Sequence, residues 1–152
     1  MKRIAIYILG VLLLTQCSSD DAMVEGDYLI FGHFYGFCVG ETCVETFKLT
    51  SDQLFEDELD DYRGEKFSFN ALSSEEFEIA QGLYESFPAQ LFLEQDEFIG
   101  CPDCADGGGI FIELSRDGAK RRWRIDQFKS SVPESLHDYM DQVNETIAAL
   151  NE

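Results

Sequence analysis

The feature that most constrains this chain is an apolar run at residues 4–14, directly behind Lys2 and Arg3. Eleven apolar residues suit the hydrophobic segment of a secretory signal peptide and fall well short of the ~20 that a membrane-spanning helix needs. Signal peptides are removed from the mature protein, so this run is not expected to join the folded core. The rest of the chain should therefore fold outside the cytoplasm, where cysteines are oxidised.

The apolar run ends in Leu14-Thr15-Gln16-Cys17, which resembles the lipobox of bacterial lipoproteins. That resemblance implies cleavage before Cys17 and attachment of lipid to its sulfur, although Gln16 departs from the small residue usual at that position. Several acyl chains on one cysteine anchor a protein stably, because each buried methylene contributes ~0.8 kcal/mol. We expect residues 1–16 to be the signal peptide and Cys17 to be the contact with the membrane.

A polar and acidic stretch, Ser18-Ser19-Asp20-Asp21, follows the expected lipid anchor. Its composition predicts a flexible tether over residues 17–25. It also resembles the acidic export tag of Bacteroidota lipoproteins, which implies a location at the outer membrane. An ordinary tether with no sorting role is the alternative.

The full chain of 152 residues has room for one domain, which we place at residues 26–152. Removal of Lys2 and Arg3 leaves nine basic against thirty acidic residues, a net charge of −21. Such a surface repels polyanions, so no nucleic-acid partner is expected and anionic lipid headgroups are poor partners. It fits cationic partners, or solubility alone.

Hydrophobic alternation and turn residues predict an α+β fold, an antiparallel sheet of hairpins with two packed helices. Asp117-Gly118 between two strand-like runs is a strong hairpin signal. Ser73 or Ser74 offers a cap for one helix that reaches Pro88, and Pro133 suits the start of a second. The predicted strands are residues 27–37, 44–49, 54–59, 67–72, 110–115 and 120–126. Residues 90–104 carry no assignable pattern.

Four cysteines remain after Cys17 in close-spaced pairs: Cys38 with Cys43, and Cys101 with Cys104. An even number in an exported chain favours disulfides, but three connectivities are open. The C-x4-C and C-x2-C spacing also permits one zinc ion bound by all four thiolates. A thiol–disulfide catalyst is the third reading. It is disfavoured because residues 105–109 cannot sustain the helix that would lower the thiol pKa.

No set of residues for catalysis is apparent, and the chain is predicted not to be an enzyme. Its two histidines, His33 and His137, have no serine or cysteine elbow beside them, and His137 is expected to be exposed. The acidic run at residues 56–61 lacks the glycine that an EF-hand loop requires. No cofactor is expected, with zinc on the four cysteines as the alternative.

One basic strip stands out in this acidic chain, because six of nine positive charges fall within residues 116–129. Alternation along a strand should place Arg122 and Arg124 on one face, with Arg121 and Trp123 on the other. These four residues form a candidate surface for docking an acidic protein partner. The alternative is that the strip pairs with the protein's own acids.

Several segments together resemble a family of small lipoproteins of flavobacteria and other Bacteroidota with no assigned activity. The segments are FGHFYG at residues 31–36, C-x4-C at residues 38–43, GCPDCADGGG at residues 100–109 and WRID at residues 123–126. Topologically the chain is also similar to emfourin-type protease inhibitors, which lack these cysteines.

The leading functional hypothesis is a non-catalytic, lipid-anchored domain outside the cytoplasm that binds another molecule or serves the envelope structurally. A protease inhibitor similar to emfourin is the first alternative. A metal-binding or thiol–disulfide redox protein that uses the C-x-x-C motif is the second.

Overall fold

The structure is a computed structural model that describes residue 23 and residues 26–152. The predicted signal peptide, Cys17 and most of the predicted tether lie outside the described residues. In the described part of the chain, no helix has the length and apolarity needed to cross a membrane.

Seven strands form a single sheet in the order β4-β3-β2-β1-β6-β7-β5. All neighbouring strands are antiparallel except β5 and β7, which are parallel. The predicted α+β class is therefore confirmed. The strands are β1 (Tyr28–Phe34), β2 (Val44–Leu49), β3 (Leu54–Asp57), β4 (Phe69–Ala71), β5 (Phe98–Ile99), β6 (Gly109–Arg116) and β7 (Ala119–Asp126).

The hairpin of β6 and β7 is confirmed, because Asp117 and Gly118 have φ values of 53° and 76°. Two consecutive left-handed residues make the turn whose twist matches that of the flanking strands. Strand β2 has the predicted bounds, whereas β1 ends at Phe34, three residues before the predicted end. Beyond Phe34 the backbone leaves the ladder to form a loop that a disulfide closes.

Three α-helices follow: α1 (Ser74–Ala80), α2 (Gly82–Glu85) and α3 (His137–Leu150). Ser73 caps α1 in a capping box, since its hydroxyl accepts from Glu76 N while its own N–H donates to the Glu76 carboxylate. The single helix predicted after Ser73 is interrupted at Gln81, just before Gly82, which is a poor helix former.

The unassigned residues 90–104 complete the sheet edge. A 3-10 turn at Ala89–Leu93 is followed by the two-residue strand β5. Strands β4 and β5 lie at opposite edges of the sheet, and the chain between them runs through α1 and α2. The connection from β5 to its parallel partner β7 passes through β6. So short a strand has no periodicity of its own, which is why the sequence pattern did not show it.

The two faces of the sheet carry separate cores. One face packs against all three helices and forms the larger cluster, which includes Phe31, Trp123 and Val143. We call it the helix-covered core. The other face carries a small cluster around Phe34 and Phe111, packed with Phe67 and Phe69. Among the residues that the structure describes, no helix residue belongs to this second cluster, and partly buried side chains such as Tyr28, Phe67 and Phe69 pack against it.

Candidate functional site

Two loops meet at one end of the sheet. Phe34, the last residue of β1, pairs with Val44 at the start of β2 and with Gly109 at the start of β6. The loop of residues 35–43 and the loop of residues 100–108 therefore leave the sheet side by side. We call these two loops the tip. All four cysteines that follow Cys17 lie in the tip.

The cysteines pair locally, Cys38 with Cys43 and Cys101 with Cys104, with Cα atoms 5.6 Å and 5.4 Å apart. The expected disulfide bonding is thus found, and the connectivity that the sequence left open is the local one. Such small rings constrain the unfolded chain by only about 2 kcal/mol each. Their main effect is to fix the shape of the tip loops.

Asp103, between the second pair of cysteines, joins three segments of the chain. Its Oδ2 accepts hydrogen bonds from Gly36 N at 2.9 Å and from the Tyr62 hydroxyl at 2.7 Å. Its Oδ1 accepts from Gly108 N at 3.0 Å. One carboxylate therefore fastens the two disulfide loops to each other and to the loop that carries Tyr62.

The glycines of the tip let aromatic rings pack directly on the backbone. A Cβ at Gly107 would clash with Phe128, and one at Gly108 would clash with Tyr35. Gly108 also has φ of +73°, which a residue with a side chain rarely adopts. The glycine run in GCPDCADGGG is thus explained by close packing, without any ligand.

Asp126, at the end of β7, fixes the start of the loop of residues 100–108 through hydrogen bonds. It accepts hydrogen bonds from Cys101 N, Phe128 N and the Ser131 hydroxyl at 3.1, 2.9 and 2.6 Å. Burial opposes its ionisation, but these three donors together keep the pKa of Asp126 below its usual range. The charged carboxylate is therefore the form that stabilises this end of the sheet.

Arg124 lies under the tip and is only 8% exposed. Its guanidinium carbon is 3.7 Å from the centre of the Phe34 ring and 5.2 Å from that of Tyr62. One guanidinium nitrogen donates to the Tyr62 carbonyl at 3.0 Å. Burial lowers the pKa of Arg124, and burial also raises the pKa of Tyr62, assisted by the hydrogen bond to Asp103. A buried cation on aromatic rings thus supports the tip from the sheet.

The outer surface of the tip is apolar. Phe37 is 84% exposed and Val39 is fully exposed, and both lie in or beside the ring closed by Cys38 and Cys43. Phe128, which packs on Gly107, is about half exposed. Large side chains held this far into solvent by a cross-linked loop do not serve the core.

Arg121 and Trp123 share one face of β7, as predicted, and the structure shows that this is the face covered by helices. Trp123 is fully buried in the helix-covered core, and the Arg121 guanidinium lies 5.0 Å from its ring centre. Arg121 also donates to the carbonyls of Phe92 and Glu94. Trp123 is therefore not part of the accessible surface, whereas Arg121 remains partly exposed.

Arg122 lies on the opposite face with Arg124, again as predicted. It shares the fully buried carboxylate of Glu113 with Lys120, at 2.7 Å to each cation, and Tyr28 donates to the same carboxylate. The alternative of internal pairing thus holds for Lys120 and Arg122. Arg121 and Arg124 instead contact carbonyls and aromatic rings, and neither has a carboxylate within 4 Å in the described part of the chain.

The histidines are engaged in local contacts. His33 Nε2 is 3.1 Å from the Glu45 carboxylate and 3.0 Å from the Thr42 carbonyl. The prediction that His137 is exposed was wrong, because its Nε2 lies within 3.0 Å of the Lys129 and Val132 carbonyls. Among the residues that the structure describes, no group of three or more His, Cys, Asp or Glu is placed to hold a metal ion.

Sequence reasoning missed Asp103 and Tyr62 as the residues that organise the tip. In the sequence Asp103 stands out only as a residue between the two cysteines of the C-x-x-C motif. Tyr62 carried no signal, because its partner lies 41 residues away. Comparison of the chain with protein-family models gives no match, and comparison with curated proteins gives none either. The resemblances to the small-lipoprotein family and to emfourin-type inhibitors therefore stay predictions.

Proposed function

We propose that this chain is a lipoprotein anchored through Cys17 outside the cytoplasm, and that its tip is a non-catalytic binding surface for another protein. The observation that carries the binding part is the pair of exposed side chains, Phe37 and Val39, on a loop that a disulfide closes. A surface already fixed in shape loses little conformational entropy on binding. Aromatic side chains such as that of Phe37 are enriched at protein–protein interfaces.

The position of the tip fits an anchored binding protein. The described chain enters β1 at Asp27, and the tip begins where β1 ends, roughly 23 Å away for a seven-residue strand. Met23 packs on the helix-covered core, and the six residues 17–22 before it can reach at most roughly 20 Å. A lipid on Cys17 would therefore attach the domain near the start of β1, at the end of that strand opposite the tip.

The charge of the tip suggests the chemistry of the partner. Its two loops contain three acidic residues and neither Lys nor Arg. We therefore propose a partner protein with an apolar pocket bordered by basic side chains, which would attract the tip and accept Phe37 or Val39.

The lipid anchor is tested by growing cells that express the full-length chain with an alkyne-tagged palmitate. The expected result is a labelled protein whose label disappears in Cys17→Ser and persists in Cys38→Ser, which removes a different cysteine. Labelling that survives in Cys17→Ser would contradict the anchor without touching the binding proposal.

The binding surface is tested with a photo-crosslinking residue in place of Val39, in the full-length chain on intact cells. Ser51 is the matched control, since it is exposed at the opposite end of β2. We expect one discrete protein adduct from position 39, its loss when Phe37→Ser is added, and no such adduct from position 51. Equal adducts from both positions, or none from position 39, would refute a binding tip.

Protease inhibition is the second candidate, favoured by the full exposure of Val39 within a six-residue disulfide ring. A rigid convex loop can enter a protease cleft without being cut readily. The test measures the activity of a panel of secreted metalloproteases in the presence of the full-length protein at about micromolar concentration. A dissociation constant of about 1 μM corresponds to a binding free energy of about −8 kcal/mol. Inhibition that Val39→Asp abolishes would support this candidate. If the protein inhibits none of the proteases in the panel, the candidate is refuted.

A further inference from the structure

Half of strand β7 has an unpaired outer edge. Strand β5 pairs with β7 only at Arg124 and Ile125. Arg124 N donates outward to the Glu97 carbonyl, so by strand alternation Lys120 and Arg122 also direct their backbone N–H and C=O groups away from β6. These groups have no backbone partner in the described residues. They form a short template on which another strand can pair.

The same half of β7 carries three basic side chains, Lys120, Arg121 and Arg122, in an acidic protein. Lys120 and Arg122 share the single carboxylate of Glu113, and Arg121 donates only to uncharged carbonyls. Three cations are thus matched by one close anion, while the chain as a whole has a net charge of −19.

The charge selects among possible occupants of the edge. A second copy of the chain would bring the same three cations against these, and the two proteins would also repel each other through their net charge. Basic side chains on an edge strand discourage pairing with neutral or cationic strands. An acidic strand is attracted instead, because its carboxylates would face Lys120 and Arg122.

We propose that the open edge of β7, residues 119–122, binds an extended acidic segment of another protein as an added strand. Main-chain hydrogen bonds to Lys120 and Arg122 provide affinity, and alternate carboxylates on the added strand provide specificity. This surface is separate from the tip, and the proposal does not depend on partner binding there.

The test uses the full-length protein in detergent micelles and a fluorescent probe peptide in which Thr and Glu alternate. Its control peptide has Gln in place of every Glu. Fluorescence anisotropy is measured near 0.1 M salt, where charges beyond about 10 Å are screened and the distant acids count little. We expect the Glu peptide to bind at least about tenfold more tightly than the Gln peptide. Equal affinities, or no binding of either peptide, would overturn the proposal.

Three variants separate strand addition from simple charge attraction. Lys120→Gln removes one charge and keeps the backbone N–H, and it should weaken binding several-fold. Lys120→Pro removes the outward N–H as well, and it should weaken binding at least about tenfold. Lys129→Gln removes an equal charge, one that pairs with Asp141 away from the edge, and it should leave binding unchanged. Equal losses in Lys120→Gln and Lys120→Pro would overturn strand addition.

A second measurement covers the case in which Lys120→Pro fails to fold. Amide hydrogen exchange of the unmodified protein should show that the Glu peptide protects the Lys120 and Arg122 amides and leaves those of Arg121 and Trp123, already in the ladder with β6, unchanged. No added protection at Lys120 and Arg122 would refute the proposal. Phe37→Ser should retain peptide binding, so failure of the tip and failure of the edge are distinguishable.

Discussion

The tip and the helix-covered core are held together in different ways. The core joins the sheet to three helices through buried apolar side chains such as Phe31, Trp123 and Val143, with no covalent link. The tip has few buried apolar residues, and two disulfides and the carboxylates of Asp103 and Asp126 order it instead. A loop can therefore be rigid and still present apolar side chains to solvent, because its order does not depend on burying them.

This contrast predicts that the largest loss of stability comes from the helix-covered core. Trp123→Ala should lower the free energy of unfolding by about 3–5 kcal/mol, since it leaves a large cavity beside Phe87 and Phe92. Urea denaturation followed by circular dichroism measures this change. A loss below that of the disulfide variant described next would show that the core is not the main source of stability.

Removal of one tip disulfide should have a smaller and more local effect. Cys38→Ser combined with Cys43→Ser should lower the free energy of unfolding by about 2 kcal/mol, as expected for a small closed ring. Hydrogen exchange should accelerate at residues 35–43 and stay unchanged in β6. Faster exchange throughout the core would contradict a locally ordered tip. The double variant Cys101→Ser, Cys104→Ser provides the comparison within the same region.

Asp126 should make the tip sensitive to acid. Because its pKa is lowered on folding, the carboxylate stabilises the protein above its unfolded value of about 3.9, and this contribution is lost as the pH falls through the folded pKa. Asp126→Asn should therefore cost about 1–2 kcal/mol at neutral pH, with the difference shrinking below about pH 4.

The measurement is urea denaturation of both proteins between neutral and acidic pH. Asp106→Asn is the control, since Asp106 is exposed in the same loop. In the described part of the chain, its carboxylate accepts no hydrogen bond. This variant should follow the unmodified protein at every pH. The free energies of unfolding of Asp126→Asn and the unmodified protein should converge in acid. A difference that stayed constant down to strong acid would argue that the charge of Asp126 does not stabilise the protein.

The smallest expected effect is a gain in stability at the break between α1 and α2. Gly82→Ala should raise the free energy of unfolding by about 0.5–1 kcal/mol, because alanine favours the helix and a Cβ there meets no neighbour within 4 Å. Thermal denaturation should show a slightly higher midpoint. Gly108→Ala should instead lower the free energy of unfolding, because Gly108 has a left-handed backbone and a Cβ there would clash with Tyr35.

Features governed by neighbouring residues were predictable from the sequence. The Asp117-Gly118 hairpin, a helix cap at Ser73 or Ser74 and the bounds of β2 are each specified within a few residues, and all were found, with Ser73 as the cap. The alternation that places Arg122 and Trp123 on opposite faces is local in the same sense. The lipid anchor at Cys17 is also a local prediction, and it lies outside the described residues.

Contacts between distant residues were decided only by the tertiary structure. The four cysteines were evident, but their pairing depends on how each loop leaves the sheet, which spacing does not encode. Asp103 became the centre of the tip because β1 and β6 are neighbours, which brings Gly36 and Tyr62 to one carboxylate across 67 and 41 residues. Turns and helix caps depend on a few neighbouring residues, so the sequence predicts them. Contacts between distant residues depend on the order of the strands in the sheet, which the packing of the whole core determines.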